Sequence, residues 1–195
     1  NEISLCSPLK TTYHLPAIHS PKTMTRNFAD TKGVILMGSA ASVHDSYSWI
    51  SILEGIIKNA AQKHIPILGI CFGHQFLAHI FGGRVDILWK NSKKVGTRKV
   101  KVLQNNLLGK SKKDFLMYSH REGVTKCPDD FEIAATSNLV EIEGLIHKTL
   151  PIWTFQPHIE ASKTFSKRIG LNEDEFDKCD FFGRELLKSF LNKLK

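Results

Sequence analysis

Leu68-Gly69-Ile70-Cys71-Phe72-Gly73-His74-Gln75 carries an apolar run into one reactive residue and straight on into a helix-forming segment. The run begins at Ile65, so Ile65-Pro66-Ile67-Leu68-Gly69-Ile70 reads as a buried strand, and His74 to Phe81 as the helix that follows. A strand that stops at a cysteine, with glycine at both i−2 and i+2 and a helix next, is the pattern of a nucleophile elbow with Cys in place of Ser. Gly69 and Gly73 carry no side chains, so strand and helix can close around a strained turn. The turn would lift the thiol into a cleft at the carboxyl end of a sheet, where open α/β folds bind ligands. The start of the helix favours negative charge there and helps hold the sulfur as thiolate. The same residues describe equally well a buried structural cysteine beside a close-packed turn.

Upstream, Gly33-Val34-Ile35-Leu36-Met37 is a second short apolar run, ending at Gly38-Ser39 as a strand entering a tight loop does. Asp45-Ser46 can cap a helix running to about Lys63, with Trp49, Leu53, Ile56, Ile57, Ala60 and Ala61 as its apolar stripe. Strand, helix, strand, helix in this order predicts an α/β fold: an open, mostly parallel sheet with right-handed crossovers and helices on both faces. After Gly82-Gly83 the texture changes to short strands separated by turn clusters, at Val95 to Leu103, Phe115 to Tyr118, Phe131 to Ala135, Leu139 to Glu143, Gly144 to His147 and Ile152 to Phe155. These add a small antiparallel β extension. Ser162 to about Gly170 reads as a short helix, and Phe181 to Leu194 as the helix that closes the domain. Residues 1 to 30, punctuated by Pro8, Pro16 and Pro21, show no sustained period and are expected to be irregular.

A chain of 195 residues suits one domain, taken as 1–195, with a proper core. At 42% hydrophobic and 24% charged it has the composition of a globular protein and neither a disordered nor a fibrous one. No apolar stretch approaches the roughly 18 to 20 residues needed to cross a bilayer, so no membrane partner is expected. Asn1-Glu2-Ile3 does not open a secretory signal. Cys6, Cys71, Cys127 and Cys179 are scattered with no C-x-x-C pair, which argues against a disulfide framework and for a reducing cytoplasm.

The formal net charge is +8, and it is concentrated. Lys90, Lys93, Lys94, Arg98, Lys99, Lys101, Lys110, Lys112 and Lys113 hold nine of the 27 basic residues with no acid among them, leaving 18 against 19 elsewhere. Such a patch suits an acidic protein face or an anionic substrate, or simply a solvated strand edge that lysine keeps from pairing. Only Trp89 lies near, and without interleaved stacking aromatics nucleic acid is not the expected partner.

A cysteine nucleophile needs a base, and the base needs orienting. Gln156-Pro157-His158-Ile159-Glu160 contains both types two residues apart, so in extended chain His158 and Glu160 share a face. Glu160 would hold one ring nitrogen while the other meets Cys71. Taken alone, the pair reads as readily as a weak polar contact on a surface strand.

Gly-Ile-Cys-Phe-Gly-His-Gln at residues 69–75, followed much later by Gln-x-His-x-Glu, resembles the class I, triad-type glutamine amidotransferases. The resemblance runs from Gly33 to Glu160. Gly33 to Asp45 is similar to the family's oxyanion-loop segment, most nearly that of the glutaminase part of GMP synthetase. Leu77 to Val85 is similar to the helix and turn after the nucleophile, and Ser119-His120-Arg121-Glu122 to the segment bordering the glutamine pocket. The resemblance implies a flavodoxin-like fold and hydrolysis of glutamine through a γ-glutamyl thioester, with ammonia supplied to a separate synthetase. It implies Cys71 as nucleophile, His158 as acid and base, and Glu160 as its support. It also implies backbone donors at Gly38 and Phe72 for the oxyanion, and Ser39, Gln75, Ser119, His120 and Glu122 at the substrate.

Three positions depart from the family pattern. Pro157 precedes the histidine where the family has proline after it, Glu122 stands where Asp is common, and no opening strand is visible before residue 10. That strand either lies upstream of Asn1 or the domain begins irregularly. Two other functions share these residues: a γ-glutamyl peptide hydrolase on the same fold, and a non-catalytic regulatory module. His74 reads as structural, and His14, His19, His44, His64, His79 and His147 lack metal-ligand spacing, so no metal is expected. No glycine-rich phosphate loop occurs, so no ATP site or other cofactor is expected.

Overall fold

The computed structural model describes residues 2–19 and 30–194. Its first strands are β1 (Val34–Leu36) and β2 (Ile67–Ile70), linked by helix α2 (Ser48–Gln62). Alternation decides what β2 faces. Ile67 packs with α2 and with α3 (Phe72–Ile80), while Leu68 and Ile70 pack on the other face with α5 (Glu173–Asn192). The sheet therefore has a core on each side, as a parallel sheet requires.

The later strands are β3 (Arg84–Ile87), β4 (Lys94–Val102), β5 (Lys112–His120), β6 (Glu122–Lys126), β7 (Phe131–Ser137), β8 (Gly144–His147) and β9 (Ile152–Phe155). The main sheet has the order β1-β2-β9-β8-β7-β4-β5, and β3 and β6 form a separate antiparallel pair. The expected open α/β sheet is present, but among the described residues its parallel part is the three strands β1, β2 and β9. The other four pairings in the main sheet are antiparallel. The β4–β5, β7–β8 and β8–β9 connections are too short to hold a crossover helix, and short connections force antiparallel neighbours.

Several boundaries differ from the sequence reading. Asp45-Ser46 does not cap α2: its N-cap is Tyr47, and the Asp45 carboxylate instead accepts from the Ser42 backbone N–H at 2.8 Å. Leu139 to Glu143 is a turn and connection, closed by Ser137 Oγ accepting from the Val140 N–H at 3.1 Å. The closing helix begins at Glu173, well before Phe181, at a capping box formed by Asn172 and Glu175. The opening segment, read as irregular, contains a five-residue helix α1 (Glu2–Cys6), whose Ile3 enters the α5-side core. Glu2 pairs with Arg184 of α5 at 2.6 Å. Pro21 lies outside the described residues. A short helix α4 (Lys163–Arg168) precedes α5. Among the described residues no helix is long and apolar enough to cross a membrane.

Candidate active site

Three neighbouring parallel strands deliver the site. In the register Leu36 lies opposite Gly69, and Ile70 opposite Phe155. The loop after β1, the turn after β2 and the segment after β9 thus emerge side by side at one sheet edge, roughly 5 Å apart. They carry Gly38, Cys71 and His158 respectively.

Cys71 sits between β2 and α3 with φ 55° and ψ −104°, a left-handed backbone that a non-glycine residue adopts only under constraint. Its N–H donates to Phe155 O at 2.9 Å, and its carbonyl accepts from the Gln75 N–H at 3.1 Å. The flanking glycines leave no spare room. A Cβ on Gly73 would stand 2.3 Å from Leu36 O, and one on Gly69 would stand 2.6 Å from Gly73 O. Gly38 is equally confined, since a Cβ there would stand 2.9 Å from His158 Cε1 and 3.8 Å from Cys71 Sγ.

His158 is buried, and its Nδ1–H donates to Glu160 Oε1 at 2.9 Å, which leaves Nε2 for the side of the ring that borders Gly38 together with the Cys71 sulfur. Its backbone N–H donates to Met117 O at 2.8 Å, and its ring packs against Phe165 with centroids 4.6 Å apart. Burial alone would lower the imidazole pKa. The Glu160 charge and the hydrogen bonds to Cys71 and Glu160 override it and push His158 up to about 10. His158 is therefore a cation at neutral pH, held against the sulfur.

A raised pKa in the folded protein means the pair adds stability below the ordinary histidine value near 6.5 and loses it as pH rises through about 10. Glu160→Gln should thus lower the melting temperature at pH 7 and have a shrinking effect towards pH 10. The same substitution should move the His158 imidazole titration, followed by NMR, down by more than one pH unit. A pH-independent stability difference with an unmoved imidazole titration would remove Glu160 from this role.

The remaining expected site residues divide into groups. Phe72 opens α3, with its ring stacked on Phe76. Ser39 is exposed and its Oγ accepts from the Ala41 N–H at 3.1 Å, shaping its own loop. Ser119 is half-buried in β5 opposite Val95. Gln75 is buried and its Nε2 donates to Glu122 O at 2.7 Å and Gln156 Oε1 at 3.1 Å, so its amide ties α3 to β6 and to the segment after β9. His120 is buried with both ring nitrogens engaged, by Arg98 and by Glu122 O. The Glu122 carboxylate accepts from Ser42 Oγ at 2.9 Å and meets Arg121 Nη2 at 3.2 Å. His74 is fully buried with Nδ1 2.7 Å from Thr154 Oγ1, and burial brings its pKa down to about 3, as suits a structural histidine. Among the described residues no three His, Cys, Asp or Glu side chains are grouped to hold a metal ion.

Sequence reasoning missed Ser42, Arg98 and Glu143. By sequence Arg98 belongs to the cationic patch, whereas its side chain is 5% exposed and ion-paired. A signal for this exists: Arg98, Val100 and Val102 alternate on one strand face, and the two valines mark that face as buried.

A cysteine on a strained strand-to-helix turn and a buried imidazole oriented by a carboxylate, emerging from neighbouring parallel strands, are the kind of arrangement on which triad-type acyl-transferring enzymes are built. The sequence matches the family described as glutamine amidotransferase class-I over residues 8–174. This chain belongs to that family. It is 32% identical over 163 residues to a glutamine-hydrolyzing GMP synthase subunit from Methanocaldococcus jannaschii, an alignment covering 83% of this chain and 73% of that protein. It is also 32% identical over 134 residues to the protein of the same name from Thermoplasma acidophilum, covering 68% and 64%. Among solved structures, a glutamine amidotransferase from Thermotoga maritima superposes with TM-score 0.74 over 90% of this chain and 84% of that one, at 24% identity, a likeness of fold. A putative GMP synthase subunit from Thermoplasma acidophilum gives TM-score 0.65 at 27% identity, over 84% and 72%.

Proposed function

We propose that the chain hydrolyses the side-chain amide of glutamine through a cysteinyl thioester and passes the ammonia to a separate synthetase subunit. The observation that carries the reading is a cysteine on a strained strand-to-helix turn whose sulfur borders Gly38 together with an imidazole that Glu160 holds by one ring nitrogen. The Cys71 thiolate attacks the glutamine Cδ, and the oxyanion that develops is met by the N–H of Phe72 and one from the loop at Gly38. His158 gives its proton to the departing nitrogen, and ammonia leaves. The neutral imidazole then takes a proton from water, the hydroxide displaces sulfur from the thioester, and glutamate is released with the thiolate restored. Glu160 keeps Nε2 aimed at the reacting atoms throughout.

The test is turnover of glutamine by the purified chain, first without and then with candidate synthetase subunits, beside a γ-glutamyl peptide as competing substrate. Ammonia release from glutamine that rises with the synthetase supports the reading, and preferential cleavage of the peptide overturns it.

The cationic stretch supports a docking role. Lys94, Lys99, Lys101 and Lys113 are exposed on the hairpin β4–β5 at the sheet edge, with Lys101 directly opposite Lys113 and the exposed Lys93 just before β4. Lys112 is occupied by Glu185. The hairpin reaches the pocket segment, since Lys94 pairs with His120. Charge reversal at Lys93, Lys94 and Lys99 should weaken association with the synthetase at least tenfold at low salt and reduce partner-stimulated turnover. Unchanged stimulation at low salt removes the docking role.

A further inference from the structure

Behind the pocket segment lies a buried pair of charges that the proposed reaction does not use. The side chains of Arg98 and Glu143 are 5% and 0% exposed. Arg98 Nε stands 2.7 Å from Glu143 Oε1, and Nη2 donates to Glu143 Oε2 at 3.0 Å. The same Nη2 donates to His120 Nε2 at 2.6 Å, and the guanidinium lies 4.1 Å over the Tyr118 ring. Nη1 is buried with no hydrogen-bond partner among the described residues.

As a device for stabilising a core this is a poor choice. Removing each ion from water costs several kcal/mol, and an apolar pair of similar volume is often as stable or more so. An unmet Nη1 adds to the cost. What the pair supplies is direction. A guanidinium can only donate, so His120 Nε2 must accept and the ring proton sits on Nδ1. That Nδ1–H donates to Glu122 O at 2.7 Å, the carbonyl that Gln75 also holds. Burial first, and Arg98 next, bring the His120 pKa down to about 3, so the ring stays neutral. A chain of directed bonds therefore runs from Glu143 through Arg98 and His120 to the backbone of the pocket segment. The groups facing His120 are Arg98 from β4, Tyr118 on its own strand, the Glu122 carbonyl from β6 and the Trp89 ring, with His158 and Glu143 further off.

We propose that Arg98, held by Glu143, is a positioning residue: it locks His120 in the neutral Nδ1–H tautomer and so fixes the backbone at Glu122, in the segment that the family resemblance puts at the substrate. This rests on the glutaminase reading above.

The test uses the full chain as wild type, Arg98→Met, and the double variant Arg98→Met/Glu143→Leu, which removes both charges and leaves no unpaired ion. Cys71 is labelled with diazo-oxo-norleucine, an electrophile shaped like glutamine, and with iodoacetamide, which has no amino-acid end. Both variants should need about tenfold more diazo-oxo-norleucine for half-maximal labelling, while iodoacetamide rates stay within about twofold. By NMR, the His120 ring should hold the single Nδ1–H tautomer in the wild type and should lose that preference in Arg98→Met, where the donor to Nε2 is gone. Unchanged half-saturation in a folded variant overturns the proposal, as does equal slowing with both reagents or failure of the double variant to fold. Absence of saturable labelling in the wild type sinks the glutaminase reading instead, and the His120 tautomer measured by NMR then still decides the lock.

Discussion

Cys71→Ala should release no measurable ammonia from glutamine, a fall of roughly a millionfold if the residue behaves as nucleophiles of triad enzymes do. The fold should survive, because the substitution removes one sulfur and keeps a β-carbon on a backbone whose strain is imposed from both sides by β2 and α3. Cys127 and Cys179 are poor substitutes. Burial pushes Cys179 up to about 12, and burial likewise raises Cys127, so neither supplies much thiolate at neutral pH. Diazo-oxo-norleucine should therefore label Cys71 alone in the wild type and nothing in the variant. Turnover within tenfold of wild type, or selective labelling of Cys127 or Cys179, would put the nucleophile elsewhere and favour the regulatory-module reading.

Gly73→Ala should cost the fold about 3 kcal/mol or more, the upper range for overpacking, since the neighbours are backbone. The new Cβ would stand 2.3 Å from Leu36 O and 2.7 Å from Leu36 Cβ, so α3 must move away from β1 or β1 must leave the sheet. Either movement also carries Cys71 out of line with Gly38. Gly55→Ala in α2 is the matched control. A Cβ there meets nothing within 4 Å, and the change should stabilise by about 0.5–1 kcal/mol through helix propensity. Urea midpoints of the two variants check the pair, and equal stability of Gly73→Ala and wild type would mean that the elbow is not closed as described.

Much of the site was legible because its signals are local. Two glycines around a cysteine at a strand end are a steric requirement written within five residues, and His158 with Glu160 is a period-two pattern written within three. The extended start of α5 was also written locally, as Asn172 followed by Glu175, but charged residues from Glu173 to Asp180 obscured its apolar face. The strands β3 and β6 were harder to see. Each is short and partly exposed, and they pair only with each other across a register shift, so neither shows a clean alternation. Arg98, Glu143 and Ser42 were invisible as a group, because Ser42 meets Glu122 and Arg98 meets Glu143 only after distant segments have docked.

From its residues alone this chain specifies a strained cysteine between an apolar strand and a helix, and a histidine and a glutamate on one side of an extended segment. Only the tertiary structure decides that these meet. β9 is inserted beside β2, and β1 takes the other side, although the intervening segments offer several apolar strands of similar length. Sterics and hydrogen-bond periodicity act over a few residues and can be read in order along the chain. Strand order is settled by which distant faces exclude water best once loops of very different length have closed, and that competition leaves no mark on any one stretch.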